Sequence, residues 1–153
     1  MKWAAWLVAT LAVLLAPSAA AAQTERESEV KAAVHRIYAA LNAANLDAVV
    51  GQMATGGYTE ITAAGRRVRI DEAGIRQVIG SDFKANFEPT ELEVRIVADV
   101  ALVTGYRVGG TLRASSEPSK ARFALSMLWL RERGEWRLAH VHLSPTTAES
   151  PKS

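Results

Sequence analysis

The sequence predicts an α+β domain with three early helices gathered on one side of a curved, mostly antiparallel sheet. Three observations predict it. Apolar residues recur with helical spacing in the first half of the folded part. Period-two alternation takes over in the second half. The last part of the domain, Ala121 to Pro145, reads as one long β-hairpin.

The hairpin organises the rest. Phe123, Leu125, Met127 and Trp129 alternate with Arg122, Ala124, Ser126, Leu128 and Leu130, so the two sets fall on opposite faces of a strand. Arg131 to Glu135 holds a polar turn in which Gly134 is free to take positive φ. Beyond it, simple alternation places Trp136, Leu138, His140, His142 and Ser144 on one face and Arg137, Ala139, Val141 and Leu143 on the other. Both strands are apolar on both faces, which predicts a central position in a sheet covered on both sides.

The earlier elements follow in order. Val30, Ala33, Val34, Ile37, Leu41 and Ala44 form one stripe of a helix over Glu25 to Ala44, with Ser28 or Thr24 as its cap. A short helix from Asp47 carries Val49, Val50 and Met53 and ends at Gly56-Gly57. Tyr58 to Ala63 and Arg66 to Ile70 read as two strands joined at Ala64-Gly65. Asp71 is a suitable N-cap for a third helix, Glu72 to Phe83, with Ile75, Val78, Ile79 and Phe83 as its apolar face. Glu91 to Val97 alternates cleanly, Ala98-Asp99 turns, and Ala101 to Leu112 is the next strand. Gly109-Gly110 predicts a bulge or bend in it, and Arg113 to Lys120 a polar loop.

The first segment stands apart. Lys2, the apolar run Trp3 to Ala16 and the small residues Pro17 to Ala22 read as a secretory signal peptide over 1–22, cut after Ala20-Ala21-Ala22. The run is shorter than the roughly 20 residues a bilayer helix needs, so no membrane anchor is expected after cleavage. The folded domain is then 23–145, the polar tail 146–153 is expected to be disordered, and the protein is expected in the periplasm or outside the cell. The absence of cysteine excludes thiol catalysis and cysteine metal sites. Lys and Arg number 18 against 16 Asp and Glu, with no basic block interleaved with aromatics, so nucleic acid is not an expected partner.

Few residues carry candidate chemistry. His140 and His142 sit at i, i+2 on a strand, which can supply two ligands of a metal site. No third ligand accompanies them, so they read as packing residues, and neither a metal nor a cofactor is expected. Simple alternation puts Glu60 on one face with Tyr58 and Thr62, opposite Ile61. Arg107 lies in an otherwise apolar strand; it either forms an ion pair with Glu93 or Asp99 or serves an apolar site that selects an anion. Tyr58 and Tyr106 are further pocket candidates.

Two stretches carry a resemblance. HRIYAALNAANLDAVVGQM (His35 to Met53) is similar to the corresponding helix of ketosteroid isomerases. WLRERGEWRLAHVHLS (Trp129 to Ser144) is similar to the end of the calcium/calmodulin-dependent kinase association domain. The chain therefore resembles the nuclear transport factor 2-like superfamily, which includes the SnoaL-like cyclases, and the resemblance implies that superfamily's cone-shaped α+β fold. The isomerase tyrosine would fall on Ile37 and its aspartate on Ile61 or Thr62, so isomerisation by that route is not expected. Tyr38, one position on, would point roughly 100° away around the helix. The association-domain resemblance places Arg107, Met127, Leu143 and Trp129 inside the cone. It also implies a homodimer through Trp136, Leu138, His140 and His142. The leading expectation is an exported domain that binds a small molecule. The alternatives are a SnoaL-like cyclase, dehydratase or isomerase with Glu60, His140 or His142 as base, and a dimeric assembly domain.

Overall fold

The structure is a computed structural model that describes residues 19–79, 82–111 and 120–146. The expected signal sequence up to residue 18, Leu112, the loop 113–119 and the tail from 147 lie outside the described residues. Helix α1 (Ala19–Asn42) is followed by α2 (Leu46–Val50), the short strands β1 (Tyr58–Ile61) and β2 (Arg67–Ile70), and α3 (Glu72–Val78). Four long strands complete the chain: β3 (Glu88–Val97), β4 (Val100–Val108), β5 (Arg122–Glu132) and β6 (Glu135–Pro145). They form one six-stranded sheet in the order β2-β1-β6-β5-β4-β3. All neighbours are antiparallel except β1 and β6. The hairpin thus lies at the centre of the sheet, where its two-sided apolar character places it.

The helix stripe is wider than the sequence reading allows. Val30, Ala33, Val34 and Ile37 are buried, and so are Tyr38 and Ala40. Neither Thr24 nor Ser28 caps α1, because the helix already runs through both; the Thr24 hydroxyl donates back to the Ala20 carbonyl. Ala44 lies past the helix end with φ 50°. Helix α2 starts one residue earlier than expected, with the Asn45 side chain accepting from the Ala48 amide, and stops at Gly51 rather than at Gly56-Gly57. Asp71 caps α3 as its sequence position predicts, accepting from the Gly74 amide at 2.8 Å. Helix α3 ends at Val78, well short of Phe83.

The β5–β6 turn is the two residues Arg133 and Gly134, with φ 53° and 85°. Positive φ at both positions is the turn whose twist matches the strands. The predicted bulge at Gly109-Gly110 does not interrupt β4, which ends at Val108. Bulges occur in β3 and β6 instead. Strand β3 slips between Thr90 and Glu93, opposite Gly105. A side chain at Gly105 would meet the Thr90 and Glu91 carbonyls at 2.8 and 3.0 Å, so the bulge is accommodated by the missing Cβ.

The second bulge corrects the reading of β6. Leu128 pairs with His140 while Trp129 pairs with Leu138, which leaves Ala139 without a partner. One extra residue shifts the parity of everything beyond it. Trp136 and Leu138 are therefore buried on the helix side, and so are Val141 and Leu143. His140 and His142 are half-buried and turn to the other face. The four residues expected to share one dimer face are split between two.

Candidate functional site

One face of the sheet and the three helices line a cavity of about 480 Å³. Its wall is mostly apolar. α1 supplies Ile37, Tyr38 and Leu41, and α3 supplies Ile75 and Val78; the hairpin supplies Phe123, Met127, Val141 and Leu143. Four ionisable groups face it: Tyr38, Tyr58, Glu60 and Arg107.

Each arrives by simple backbone logic. Tyr58 and Glu60 are two residues apart on β1, so both point to the same face. Arg107 follows Ala101, Val103 and Gly105 at every second position of β4, the parity that faces the helices. Tyr38 stands four residues after Val34 on α1, within the inward stripe.

Arg107 is held by rings rather than by carboxylates. Its guanidinium carbon lies 4.6 Å from the Phe87 ring centroid and 4.9 Å from that of Phe123. Such contacts are favourable for a cation. Among the described residues no hydrogen bond or ion pair reaches any Arg107 nitrogen, and its Nε is buried without a partner. The expected ion pair with Glu93 or Asp99 does not form; Asp99 lies 3.8 Å from Arg26 instead. Glu60 and the two tyrosine hydroxyls likewise take no hydrogen bond from a described residue.

The electrostatics follow from this isolation. Burial pushes the Glu60 carboxyl above the usual carboxylate range, and the Arg107 charge opposes the rise. Burial lowers Arg107, partly offset by Tyr38 and then Glu60. Burial raises both phenols, so Tyr38 and Tyr58 are neutral donors at ordinary pH. The site can donate hydrogen bonds from a cation and two phenols, and it can hold or release a proton at Glu60.

Of the residues placed here from sequence, Arg107, Met127, Leu143 and Tyr58 line the cavity. Trp129 does not: it is fully buried against the rest of the core, paired with Ala101 and Leu138. Tyr106 is on the outer face under the Arg122 guanidinium, 3.7 Å from ring centroid to cation. Glu60 faces inward, whereas His140 and His142 do not. Among the described residues no three of His, Asp and Glu cluster as a metal site would require. Tyr38 was missed by counting 100° from Ile37; the i+4 step from Val34 was the available signal. Phe123 shares the alternation of Met127, so its face was legible; Phe87, just before β3, had no local signal for its place against Arg107.

Helices packed on one face of a six-stranded mixed sheet, with a cavity between them, form the nuclear transport factor 2-like fold. Solved structures agree. A protein of unknown function from Mycobacterium tuberculosis is 16% identical with TM-score 0.73, over 86% of this chain and 78% of that one. A protein provisionally named a dehydratase from Streptomyces avermitilis is 15% identical with TM-score 0.69, over 82% and 99%. The association domain of CaMKII from Caenorhabditis elegans is 19% identical with TM-score 0.64, over 80% and 95%. The SnoaL-like domain model matches residues 30–148, and the chain belongs to that family. No curated protein matches the sequence.

Proposed function

We propose that the protein is an exported domain that binds a small, mostly apolar molecule carrying one carboxylate, which Arg107 receives. One observation carries the reading: a half-buried guanidinium faces an apolar cavity and makes no hydrogen bond to any described residue. A buried cation without partners is costly, and a bidentate carboxylate satisfies it with charge-assisted hydrogen bonds. A cavity of about 480 Å³ falls in the range that holds small ligands.

The test is calorimetric titration of the purified protein with 2-naphthoate and with its neutral alcohol analogue. The acid binds and the alcohol binds more weakly. Arg107→Met removes the difference. Equal affinity for both, or no binding of either, ends this reading. Export is checked separately by the N-terminal residue of the secreted protein, which is Gln23 in this proposal.

A second reading, an enzyme, is favoured by Glu60 facing inward beside Tyr38 and Arg107. Glu60 then moves a proton on the bound molecule while Arg107 and the phenols stabilise the charge that develops. Turnover of a bound acid that is lost in Glu60→Gln, with binding retained, selects it. A homodimer, also part of the proposal, forms through the outer sheet face, where Leu102 and Leu128 are exposed by 41% and 37% beside His140. Sedimentation as a monomer at micromolar concentration contradicts it.

A further inference from the structure

We propose that the cavity takes up its carboxylate ligand together with one proton, and that the proton is held on Glu60. This rests on the reading of the cavity as an acid site at Arg107, and it adds how that site is regulated.

The geometry comes first. One guanidinium and one carboxyl line the same apolar cavity without forming an ion pair or sharing a hydrogen bond. The groups that face Glu60 are few. Tyr58 is on its own strand, Tyr38 on α1 and Arg107 on β4. The flanking strands present Val68 and Val141 at its register, and α3 presents Ile75 and Val78 to the cavity. His140 and His142 pair beside Thr59 and Ile61, and Arg67 and Arg69 pair with Ile61 and Thr59, all on the opposite face of the sheet. Arg107 is thus the one cation among the described residues that compensates an ionised Glu60.

A ligand carboxylate removes that compensation. Once Arg107 is engaged, an ionised Glu60 faces a second negative charge across a low-dielectric cavity with no counter-ion. Two carboxyls in such a site share one proton. Protonated Glu60 also gains a use, since its hydroxyl becomes a donor in a cavity that otherwise offers it no partner. The sign is fixed by this exchange. Free Glu60 is already raised by burial, with Arg107 holding it down. The ligand cancels the Arg107 field and adds a like charge, and both raise Glu60 further. Affinity is therefore greatest below the free-state value of Glu60. It falls about tenfold per pH unit between the free and bound values, the slope that uptake of one proton requires.

The experiment is calorimetry of 2-naphthoate binding between about pH 6 and pH 9, a range in which the probe itself stays ionised. Each pH is measured in buffers of different ionisation enthalpy, so that proton uptake is counted directly. The expected result is uptake of up to about one proton per ligand, absent with the neutral 2-naphthamide. Glu60→Gln abolishes the uptake and flattens the pH dependence of affinity. Its melting curve and its binding of 2-naphthamide show that the fold and cavity persist. Binding of 2-naphthoate without proton uptake overturns this inference and leaves the acid site standing. Uptake that persists in Glu60→Gln assigns the proton elsewhere and also overturns it. No binding of 2-naphthoate by the unaltered protein overturns both.

Discussion

Two arginine–aromatic clusters sit at opposite ends of the sheet, and they solve the same problem differently. At one end Arg26 and Arg131 lie 5.7 and 5.6 Å from the Trp136 ring centroid. Glu29 accepts from the Trp136 indole at 3.2 Å and lies 3.8 Å from Arg131, while Asp99 lies 3.8 Å from Arg26. Each cation has a carboxylate, so the cluster ties α1 to the β5–β6 hairpin and the β3–β4 turn. At the other end Arg107 has two rings and no paired carboxylate. Both cations of the first cluster have a carboxylate partner, although the Arg26 Nε, like that of Arg107, is buried without a hydrogen bond. The second leaves a guanidinium with no carboxylate partner facing a cavity, and the proposed binding role rests on that difference.

The packing differs in the same sense. Trp129, near the clamp, has no exposed surface, whereas Phe123 lines the cavity. Trp129→Ala is expected to cost about 3–5 kcal/mol of stability, as the removal of a fully buried aromatic does. Phe123→Ala is expected to cost clearly less, because the cavity already borders it. Denaturant unfolding of the two variants checks this, and equal losses would mean that the cavity end is as tightly packed as the core.

Arg107→Met is expected to weaken binding of an aromatic acid by about 1.5–3 kcal/mol, the worth of a hydrogen bond to a charged group. Stability should stay level or rise where Glu60 is protonated, and fall where Glu60 is ionised and loses its one compensating cation. Arg131→Met, at the clamp, should leave acid binding unchanged. Parallel titrations of the two variants separate the clusters, and equal losses of affinity would erase the distinction.

The pH dependence of stability sharpens it further. Glu60 has a raised pKa in the folded state, so between its unfolded and folded values the native protein binds more protons than the unfolded chain. Stability therefore falls as pH rises through that window and is highest below it. Glu60→Gln should remove this component. Melting temperatures of both proteins across the acidic range decide it, and parallel curves would show that Glu60 titrates normally. The smallest effect belongs to the exposed half of the clamp. Arg26→Gln is expected to cost no more than about 1 kcal/mol, since its partner Asp99 is 78% exposed and such pairs are screened by water. A larger loss would show that the clamp holds α1 in place.

The sequence by itself determined the order of the elements, the central place of the terminal hairpin, the division of β5 into two alternating sets and the pairing of Tyr58 with Glu60 on one face. These depend on side-chain periods of 3.6 and 2, which are local properties of the chain. It also singled out Arg107, because a charge in an apolar strand is visible without a fold. Only the tertiary structure decided that Ala139 bulges and sends His140 and His142 outward while Trp136 and Leu138 turn in. A bulge is a mismatch between two strands, and neither strand alone encodes where it falls. The same holds for Arg107: its rings come from Phe87 and Phe123, and its lack of a carboxylate partner follows from where the β3–β4 turn carries Asp99 and β1 carries Glu60. Periodicity sets which way a side chain points; what it meets there depends on segments far away in the chain.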